Sequence, residues 1–312
     1  MIGTSLPDRQ CPVCGKRGAP YAAARDIEYF TTPEVFQYYR CVDCDLIYID
    51  PAPIDRLSVI YPANYYSFVD TDKKNVVVRF KEWLDKRAFQ KFLKEIRGDS
   101  LSVLDVGGGS GWLAKLLRDI DPRVRSTQIV DIDAGAQKLA ESHGHKFFCG
   151  VIEDFASEDR YDAILMLNLI EHVEDPVAVL KKANALLAPG GRIYVKTPNF
   201  RALDARLFKD RNWGGYHCPR HFVLFSRESF SSAAAKAGLA VAEFSYTQGA
   251  PFWSVSILEM LRRWGLASVT AARPAIYHPL MPLLQAAGAA FDFARAPFAR
   301  LSQMVVVLAK AD

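Results

Sequence analysis

Long uncharged runs are scarce in this sequence of 312 residues. The longest one near the C-terminus, residues 274–291, contains three prolines and a central glutamine. Because a membrane-spanning helix needs about 20 consecutive apolar residues and proline interrupts a helix, the sequence predicts no such span. Internal repeats and low-complexity tracts are also absent, which excludes a repeat architecture.

The cysteine content and the net charge are both low, with six cysteines and a charge of +4. Half of the residues are apolar, enough to bury one substantial α/β core beside a small metal-bound module. Positive charge is concentrated in residues 73–97, which hold nine basic and three acidic side chains. Apolar residues recur there at helical spacing, which predicts a basic amphipathic helix docked on the core. Attraction of an anionic substrate, a membrane surface or RNA is the alternative role.

The most informative segment is the glycine-rich stretch at residues 105–111, Asp-Val-Gly-Gly-Gly-Ser-Gly. It follows an apolar run and precedes a helical pattern, which predicts a strand, a turn and a helix. Glycines allow positive φ and close approach of a ligand, and a helix start offers unpaired N–H groups to an anionic group. A further acid, Asp133, follows another apolar run, where a carboxylate can accept both hydroxyls of a ribose. Together these features predict an adenosine-type cofactor.

The register of the glycines distinguishes between two cofactors. Residues 109–114 fit the G-x-G-x-x-G/A dinucleotide pattern, but two further glycines separate that pattern from the strand. The arrangement acid-x-Gly-x-Gly-x-Gly, which begins at Asp105, resembles motif I of class I S-adenosylmethionine (SAM) methyltransferases. The resemblance implies that Asp105 helps to place the SAM ammonium group and that Asp133 holds the ribose. It also implies that four glycines face the methionine end: Gly107, Gly108, Gly109 and Gly111.

Four later segments match the same family in the same order: residues 150–155, 161–168, 171–173 and 187–195. The first occupies the place of the adenine-contacting loop. Many relatives carry an acid where this chain has Val151, so the resemblance assigns adenine recognition to the neighbouring Ile152, Glu153 or Asp154. Asn168, at the end of the second segment, is a further expected cofactor contact.

Two C-x-x-C knuckles near the start of the chain are separated by 26 residues. Their thiols belong to Cys11, Cys14, Cys41 and Cys44. Four thiolates at this spacing suit tetrahedral Zn²⁺, with a rubredoxin-like iron site or disulfides as alternatives. A glycine after the first knuckle and the lack of a secretory signal favour zinc in a reducing cytoplasm. Because all four ligands would be protein thiolates, the zinc is expected to be structural.

Candidate catalytic side chains follow the expected fifth strand. Residues 212–222 leave the carboxyl edge of the sheet, where open α/β folds bind ligands. His221 is the leading candidate for a general base, because a neutral imidazole can accept a proton from a hydroxyl or a carbon acid; a helix cap or a loop contact is the alternative role. His217 and His172 are further candidates. Arg220 is expected to pair with a phosphate or carboxylate of the acceptor.

The C-terminal part predicts a sixth strand at residues 239–246 and a seventh at 302–309. Helical patterns at 256–264 and 283–295 lie between them, because an unstructured loop of that length is uncommon. They predict a helical insertion at about 247–301. It is interpreted as a cap over an apolar acceptor pocket, an oligomer interface, simple packing on the sheet, or a weak membrane contact.

We therefore expect an α/β protein with a doubly wound, seven-stranded Rossmann-like sheet, a small N-terminal zinc module and a C-terminal helical insertion. The expected division is a zinc-ribbon-like module, an aromatic segment with a basic linker helix, and a SAM-binding domain: residues 1–60, 61–98 and 99–312. The order of motifs over roughly residues 10–245 resembles bacterial zinc-ribbon methyltransferases that modify nucleotide-linked sugars and other small metabolites.

That resemblance implies SAM and structural zinc as cofactors, and methyl transfer to a small acceptor through a hydroxyl or carbon acid, with an anionic acceptor as one option. The alternatives are an RNA methyltransferase that contacts RNA through the zinc module, and a non-catalytic SAM- or partner-binding protein. Nucleic acid is not the expected partner, because the positive charge is confined to one segment. The oligomeric state is open.

Overall fold

The computed structural model describes residues 9–62, 65 and 76–311, with only the backbone described for residues 76–82. Tyr66, Lys73 and Lys74 of the predicted aromatic and basic segment lie outside these residues. An N-terminal sheet has the order β1-β2-β3-β9, and all of its pairings are antiparallel. Its strands are β1 (Gly18–Ala24), β2 (Phe36–Cys41), β3 (Ile47–Ile49) and β9 (Val223–Leu224). Because β9 comes from a distant part of the chain, the first 60 residues do not form this sheet alone.

The main sheet has seven strands in the order β10-β11-β8-β7-β4-β5-β6. Its strands are β4 (Leu101–Val106), β5 (Val124–Asp131), β6 (Lys146–Cys149), β7 (Tyr161–Leu167), β8 (Leu187–Pro198), β10 (Leu239–Thr247) and β11 (Gln303–Lys310). Six strands run in the same direction, and β11 lies antiparallel between β8 and β10. The structure confirms the seven-stranded fold, including the sixth and seventh strands.

The central strands β4 and β7 are apolar and almost wholly buried, as strands covered by helices on both faces must be. In the register of the sheet, Val106 pairs with Val130 on one side and Met166 on the other. The carboxyl ends of β4, β5 and β7 therefore meet at one edge. This edge carries the loops that form the candidate site.

The helices are α1 (Leu57–Ile60), α2 (Val76–Lys94), α3 (Trp112–Ile120), α4 (Ala134–Ser142), α5 (Pro176–Leu186), α6 (Leu203–Phe208), α7 (Arg227–Lys236), α8 (Ala250–Arg263) and α9 (Met281–Arg295). Several starts are specified by the sequence. Asp175 accepts hydrogen bonds from Val177 N and Ala178 N at the start of α5, and Ser226 forms a capping box with Ser229.

The basic helix α2 packs on the main sheet. Phe89, Phe92 and Leu93 are buried, and the Phe89 ring centroid lies 5.1 Å from that of Tyr194. On its exposed side, Lys91 Nζ lies 2.7 Å from Glu243 Oε2. This part of the helix therefore has the predicted arrangement of an apolar face on the core and a solvated basic face.

The predicted helical insertion is present as α8 and α9, between β10 and β11. The two helices pack together: Trp253 Nε1 donates to Asp292 Oδ1 over 3.2 Å, and the Trp253 ring meets Phe291 edge to face. Over the residues that the structure describes, no helix is long and apolar enough to cross a membrane.

Candidate active site

A cavity of about 290 Å³ opens at the carboxyl edge of the main sheet. Its walls include the ends of β4 and β5, the loop after β6 and the turn after β7. The N-terminal part of the chain closes one side through Ile54, Leu57 and Tyr61. Four of the predicted site residues line it: Gly107, Ile152, Glu153 and His172, of which Ile152 is buried. The cavity therefore lies between the N-terminal module and the main sheet.

The glycine turn has the backbone conformation that its sequence requires. Gly107, Gly109 and Gly111 have φ of 74°, 51° and 77°, values that strain residues with a side chain. A Cβ at Gly108 would lie 2.6 Å from Asp105 Cγ, so a side chain there would displace the carboxylate. Gly111 is the N-cap of α3, whose first turn begins directly after it.

Asp105 is fully buried beneath this turn. Burial, with the nearby Asp131 carboxylate, raises the pKa of Asp105 to about 7. No donor in the described part of the chain reaches its Oδ2 atom. Buried polar atoms normally have a hydrogen-bond partner. The ammonium group of a bound SAM would supply one for this oxygen.

The acid at the end of β5 corrects one prediction. Asp133 is the N-cap of α4, where its Oδ1 accepts a hydrogen bond of 2.8 Å from Gly135 N, and it does not line the cavity. Asp131, two residues earlier, lines the cavity and accepts hydrogen bonds from Gly109 N and Asp133 N, both 2.8 Å. The geometry therefore favours Asp131 over Asp133 as the ribose ligand.

The part of the cavity wall that follows β5 and β6 is largely apolar. Ile132 and Val151 are exposed along it, and Ile152 is buried beside them. Asn168 is not part of the lining; it has φ of 53°, and its Nδ2 donates to Glu171 Oε1 over 3.2 Å. The Asn168 side chain therefore hydrogen-bonds Glu171 and does not line the cavity.

The three candidate bases lie together in space. The ring centroids of His172 and His221 are 4.7 Å apart, those of His217 and His221 are 5.1 Å apart, and those of His172 and His217 are 6.2 Å apart. We call His172, His217 and His221 the histidine cluster. Only His172 among them lines the cavity, so the cluster lies at its wall and extends behind it.

Each ring of the histidine cluster has a defined hydrogen-bond partner. His217 Nδ1 lies 2.7 Å from Glu28 Oε1, and its Nε2 lies 3.1 Å from the Tyr65 hydroxyl. His221 Nδ1 donates to the Gly215 carbonyl over 2.8 Å. His172 Nδ1 lies 3.0 Å from the Arg220 carbonyl and 2.9 Å from the Tyr61 hydroxyl.

Burial keeps two of the three rings, His172 and His221, uncharged. It lowers the pKa of His172 to about 3 and that of His221 well below its usual value, with the neighbouring histidines adding to the effect. Burial also raises the pKa of Glu171 to about 7. The two Glu171 oxygens accept from Asn168 Nδ2 and, over 2.9 Å, from Thr197 Oγ1.

Arg220 does not face an acceptor. It is fully buried, its Nη2 donates to Asp26 Oδ2 over 2.9 Å, and its Nε donates to the Ile60 carbonyl over 2.7 Å. Burial opposes ionisation of Asp26, but the Arg220 guanidinium outweighs it and holds the pKa of Asp26 at about 2. The prediction that Arg220 pairs with an anionic acceptor is therefore wrong: it joins the N-terminal module to the main domain.

The four knuckle cysteines form a compact group, here called the cysteine cluster. Cys11 Sγ lies 3.5 Å from Cys44 Sγ, and Cys14 Sγ lies 3.3 Å from Cys41 Sγ. A tetrahedral ion with Zn–S bonds of about 2.3 Å separates its sulfur ligands by about 3.8 Å, whereas a disulfide needs about 2.05 Å. The sulfur positions therefore fit one Zn²⁺ bound by all four thiolates. Gly15 and Asp45, after the knuckles, have positive φ, as these tight turns require.

The sheet order, the glycine turn and the acid at the end of β5 define a class I SAM-dependent methyltransferase domain. The chain belongs to the methyltransferase-domain family, whose model matches residues 78–243, more than half of the chain.

Two curated relatives are ubiquinone biosynthesis O-methyltransferases. The protein of Pseudomonas syringae pv. tomato is 31% identical over 127 residues, which cover 38% of this chain and 49% of that protein. The protein of Aeromonas salmonicida is 32% identical over 107 residues, which cover 31% of this chain and 43% of that protein. The chain thus spans about half the length of the curated relatives it matches.

Solved structures with a similar fold include coclaurine N-methyltransferase bound to N-methylheliamine and SAH. The similarity covers 83% of this chain and 79% of that chain at 15% identity, with a TM-score of 0.49. Another is the O-methyltransferase of a trans-AT PKS multienzyme of Brevibacillus brevis in complex with S-adenosyl-L-homocysteine, at 15% identity and a TM-score of 0.47, covering 74% of this chain and 72% of that chain.

Sequence reasoning missed four acidic residues that the structure brings to the site or its junction: Asp26, Glu28, Asp131 and Glu171. A signal for Asp131 was present, because it ends the apolar strand while Asp133 stands where a helix N-cap belongs. Glu28 and Asp26 had no local signal. Their partners lie more than 180 residues away in the chain.

Proposed function

We propose that this protein transfers a methyl group from SAM to a hydroxyl or carbon acid of a small-molecule acceptor. The observation that carries the proposal is the cavity at the carboxyl edge of the main sheet. One end is bounded by the glycine turn and Asp131, and His172 is the member of the histidine cluster that stands in the wall. Cofactor and acceptor can therefore occupy neighbouring parts of one cavity.

At the cofactor end, the residues of this chain match the parts of SAM. The Asp105 oxygen that lacks a donor suits the ammonium group, Asp131 suits the ribose hydroxyls, and Glu153 with the apolar Ile132 and Ile152 suits adenine. Bound SAM supplies a methyl group that leaves sulfur for the acceptor oxygen or carbon, while sulfur keeps the electron pair of the broken bond. The protein then has to align the acceptor with that bond and remove one proton.

We propose that His217 of the histidine cluster takes up this proton. Neutral imidazoles accept protons, but burial disfavours the charged form of His172 and His221, so these two rings are not expected to keep the proton. His217 has a carboxylate at hydrogen-bonding distance, Glu28, which would stabilise the imidazolium formed there. We therefore favour His217 as the final proton acceptor, with His172 in contact with the acceptor molecule.

We also propose that the cysteine cluster binds one structural Zn²⁺. All four ligand positions are filled by thiolates, so no position is left for a substrate. A thiolate site of this type persists in a reducing compartment, which supports a cytoplasmic location.

The acceptor class is tested directly by assay. The purified protein is incubated with SAM and three panels of acceptors, namely nucleotide sugars, phenols and hydroxy acids, and release of S-adenosylhomocysteine is followed by mass spectrometry. Calorimetry with S-adenosylhomocysteine measures cofactor binding separately. We expect one binding site per chain and turnover with an oxygen-bearing small molecule; a protein that binds no S-adenosylhomocysteine would contradict the proposal.

A further inference from the structure

A second group of potential metal ligands lies at the wall of the cavity. One ligand atom each from Glu171, His172 and His221 lies within 4.8 Å of the others. Glu171 Oε1 and His221 Nε2 are 3.9 Å apart, too far for a hydrogen bond between them. The carboxylate and the imidazole therefore face each other without forming a bond.

The hydrogen bonds of the two rings determine which nitrogens can bind a cation. His221 Nδ1 contacts the Gly215 carbonyl, and His172 Nδ1 contacts both the Arg220 carbonyl and the Tyr61 hydroxyl, a group that can accept as well as donate. Because a carbonyl oxygen only accepts, we assign the hydrogen to Nδ1 in both rings, which leaves a lone pair on each Nε2. A histidine that binds a metal almost always donates its other ring N–H to a carbonyl or carboxylate in this way.

Glu171 is oriented in a similar manner. Asn168 donates to its Oε1 and Thr197 donates to its Oε2. The carboxylate is wholly buried, yet it has no cationic partner at hydrogen-bonding distance among the described residues. A buried carboxylate with fixed oxygens and two adjacent imidazole lone pairs is a donor set that suits a divalent cation.

We propose that Glu171, His172 and His221 bind a divalent transition-metal ion, such as Zn²⁺, Mn²⁺ or Fe²⁺, at the acceptor end of the cavity. Two imidazoles and one carboxylate are ligands that these ions accept, and three protein ligands leave coordination positions open. His172 lines the cavity, so the open positions are accessible to a molecule bound there.

The role of the ion rests on the proposed function, whereas its binding does not. An ion at this position would bind acceptor oxygens and lower the pKa of an acceptor hydroxyl. It therefore favours acceptors with two adjacent oxygens that bind one ion together.

Cobalt(II) provides the probe. The purified full-length protein is saturated with Co²⁺, desalted, and analysed for bound metal per chain, while absorption and calorimetry follow the titration. We expect two metal ions per chain in the wild type. Charge-transfer absorption from thiolate to cobalt marks an ion in the cysteine cluster, so an ion at the nitrogen and oxygen ligands is counted separately. A total of one metal ion per chain in the wild type would overturn the proposal.

Two variants then locate the second ion. Glu171→Gln and His221→Ala should each weaken its binding at least about 100-fold, because changes to outer-shell partners alone cost 10–100-fold. The matched control, His278→Ala, should still bind two ions. Circular dichroism confirms that each variant is folded, and a folded His221→Ala protein that keeps both ions would also overturn the proposal.

Cofactor binding separates this inference from the proposed function. Binding of S-adenosylhomocysteine with a single metal ion per chain would remove the second metal site and leave the methyltransferase. Two metal ions without S-adenosylhomocysteine binding would leave the site and remove the methyltransferase.

Discussion

The cysteine cluster and the histidine cluster differ in how the chain assembles them. The four cysteines belong to two tight turns within residues 11–44, and both turns are specified by local sequence. The histidines come from the turn after β7 and from the segment before β9, and their partners Glu28 and Tyr65 come from the N-terminal part. The first cluster is closed by its own ligands, whereas the second adjoins a cavity. Local spacing thus produces the cysteine cluster, and tertiary packing produces the histidine cluster.

The largest effect is expected from breaking the cysteine cluster. Cys14→Ser removes one of four thiolates, and structural zinc in small modules contributes on the order of 10 kcal/mol or more to folding. We expect the free energy of unfolding to fall by at least about 4 kcal/mol, or roughly 10 °C in Tm. Thermal denaturation and metal analysis measure both effects. Cys149→Ser, at an exposed thiol, is the control and should match the wild type; a stable Cys14→Ser protein that lacks metal would show that the cluster is not structural.

The next largest loss of stability is expected from breaking the buried ion pair that joins the N-terminal module to the main domain. Asp26→Asn leaves the buried Arg220 guanidinium without its carboxylate, and breaking a buried pair in this way costs about 3–5 kcal/mol. Urea denaturation measures the loss. Asp55→Asn, at the exposed pair with Arg56, should change stability by less than about 1 kcal/mol. Equal stabilities for the two variants would mean that the buried pair does not stabilise the junction between the module and the domain.

Asp131 at the end of β5 and Asp133 two residues later allow cofactor binding to be tested separately from helix capping. Asp131→Ala should weaken S-adenosylhomocysteine binding at least tenfold, about 1.4 kcal/mol, because it removes charge-assisted hydrogen bonds to the ribose. Asp133→Ala should leave affinity nearly unchanged and cost about 1 kcal/mol of stability, because it removes the N-cap of α4. Calorimetry and urea denaturation test both; the reverse pattern would restore Asp133 as the ribose ligand.

A smaller effect is expected from pH. The pKa of buried Asp105 is raised to about 7, and the SAM ammonium favours the charged carboxylate. SAM affinity should therefore rise by up to about tenfold between pH 6 and pH 8. In the free protein, the stability contributed by the neutral form is complete below the ordinary carboxyl pKa and is lost as pH rises through about 7. Calorimetry at several pH values tests the affinity, and Asp105→Asn should remove the dependence; a steep profile in that variant would assign the effect to another group.

Much of the fold was predictable from local patterns. The glycine turn, the two knuckles, the last two strands and the helices between them each depend on neighbouring residues, and the structure has all of them. The sequence also indicated three candidate histidines, but their mutual contact depends on chain segments brought together by the sheet. The buried pair of Asp26 and Arg220 could not be read from spacing, because 194 residues separate its members.

The most direct test of the account is NMR of histidine ring signals during titration with SAM. The chain has six histidines, so their signals can be assigned by substitution. The account predicts that the His172, His217 and His221 signals shift as SAM fills the cavity, while His278, in the helical insertion, stays unchanged. Saturating SAM that leaves the His172 signal in place would contradict a cavity shared by cofactor and histidine cluster.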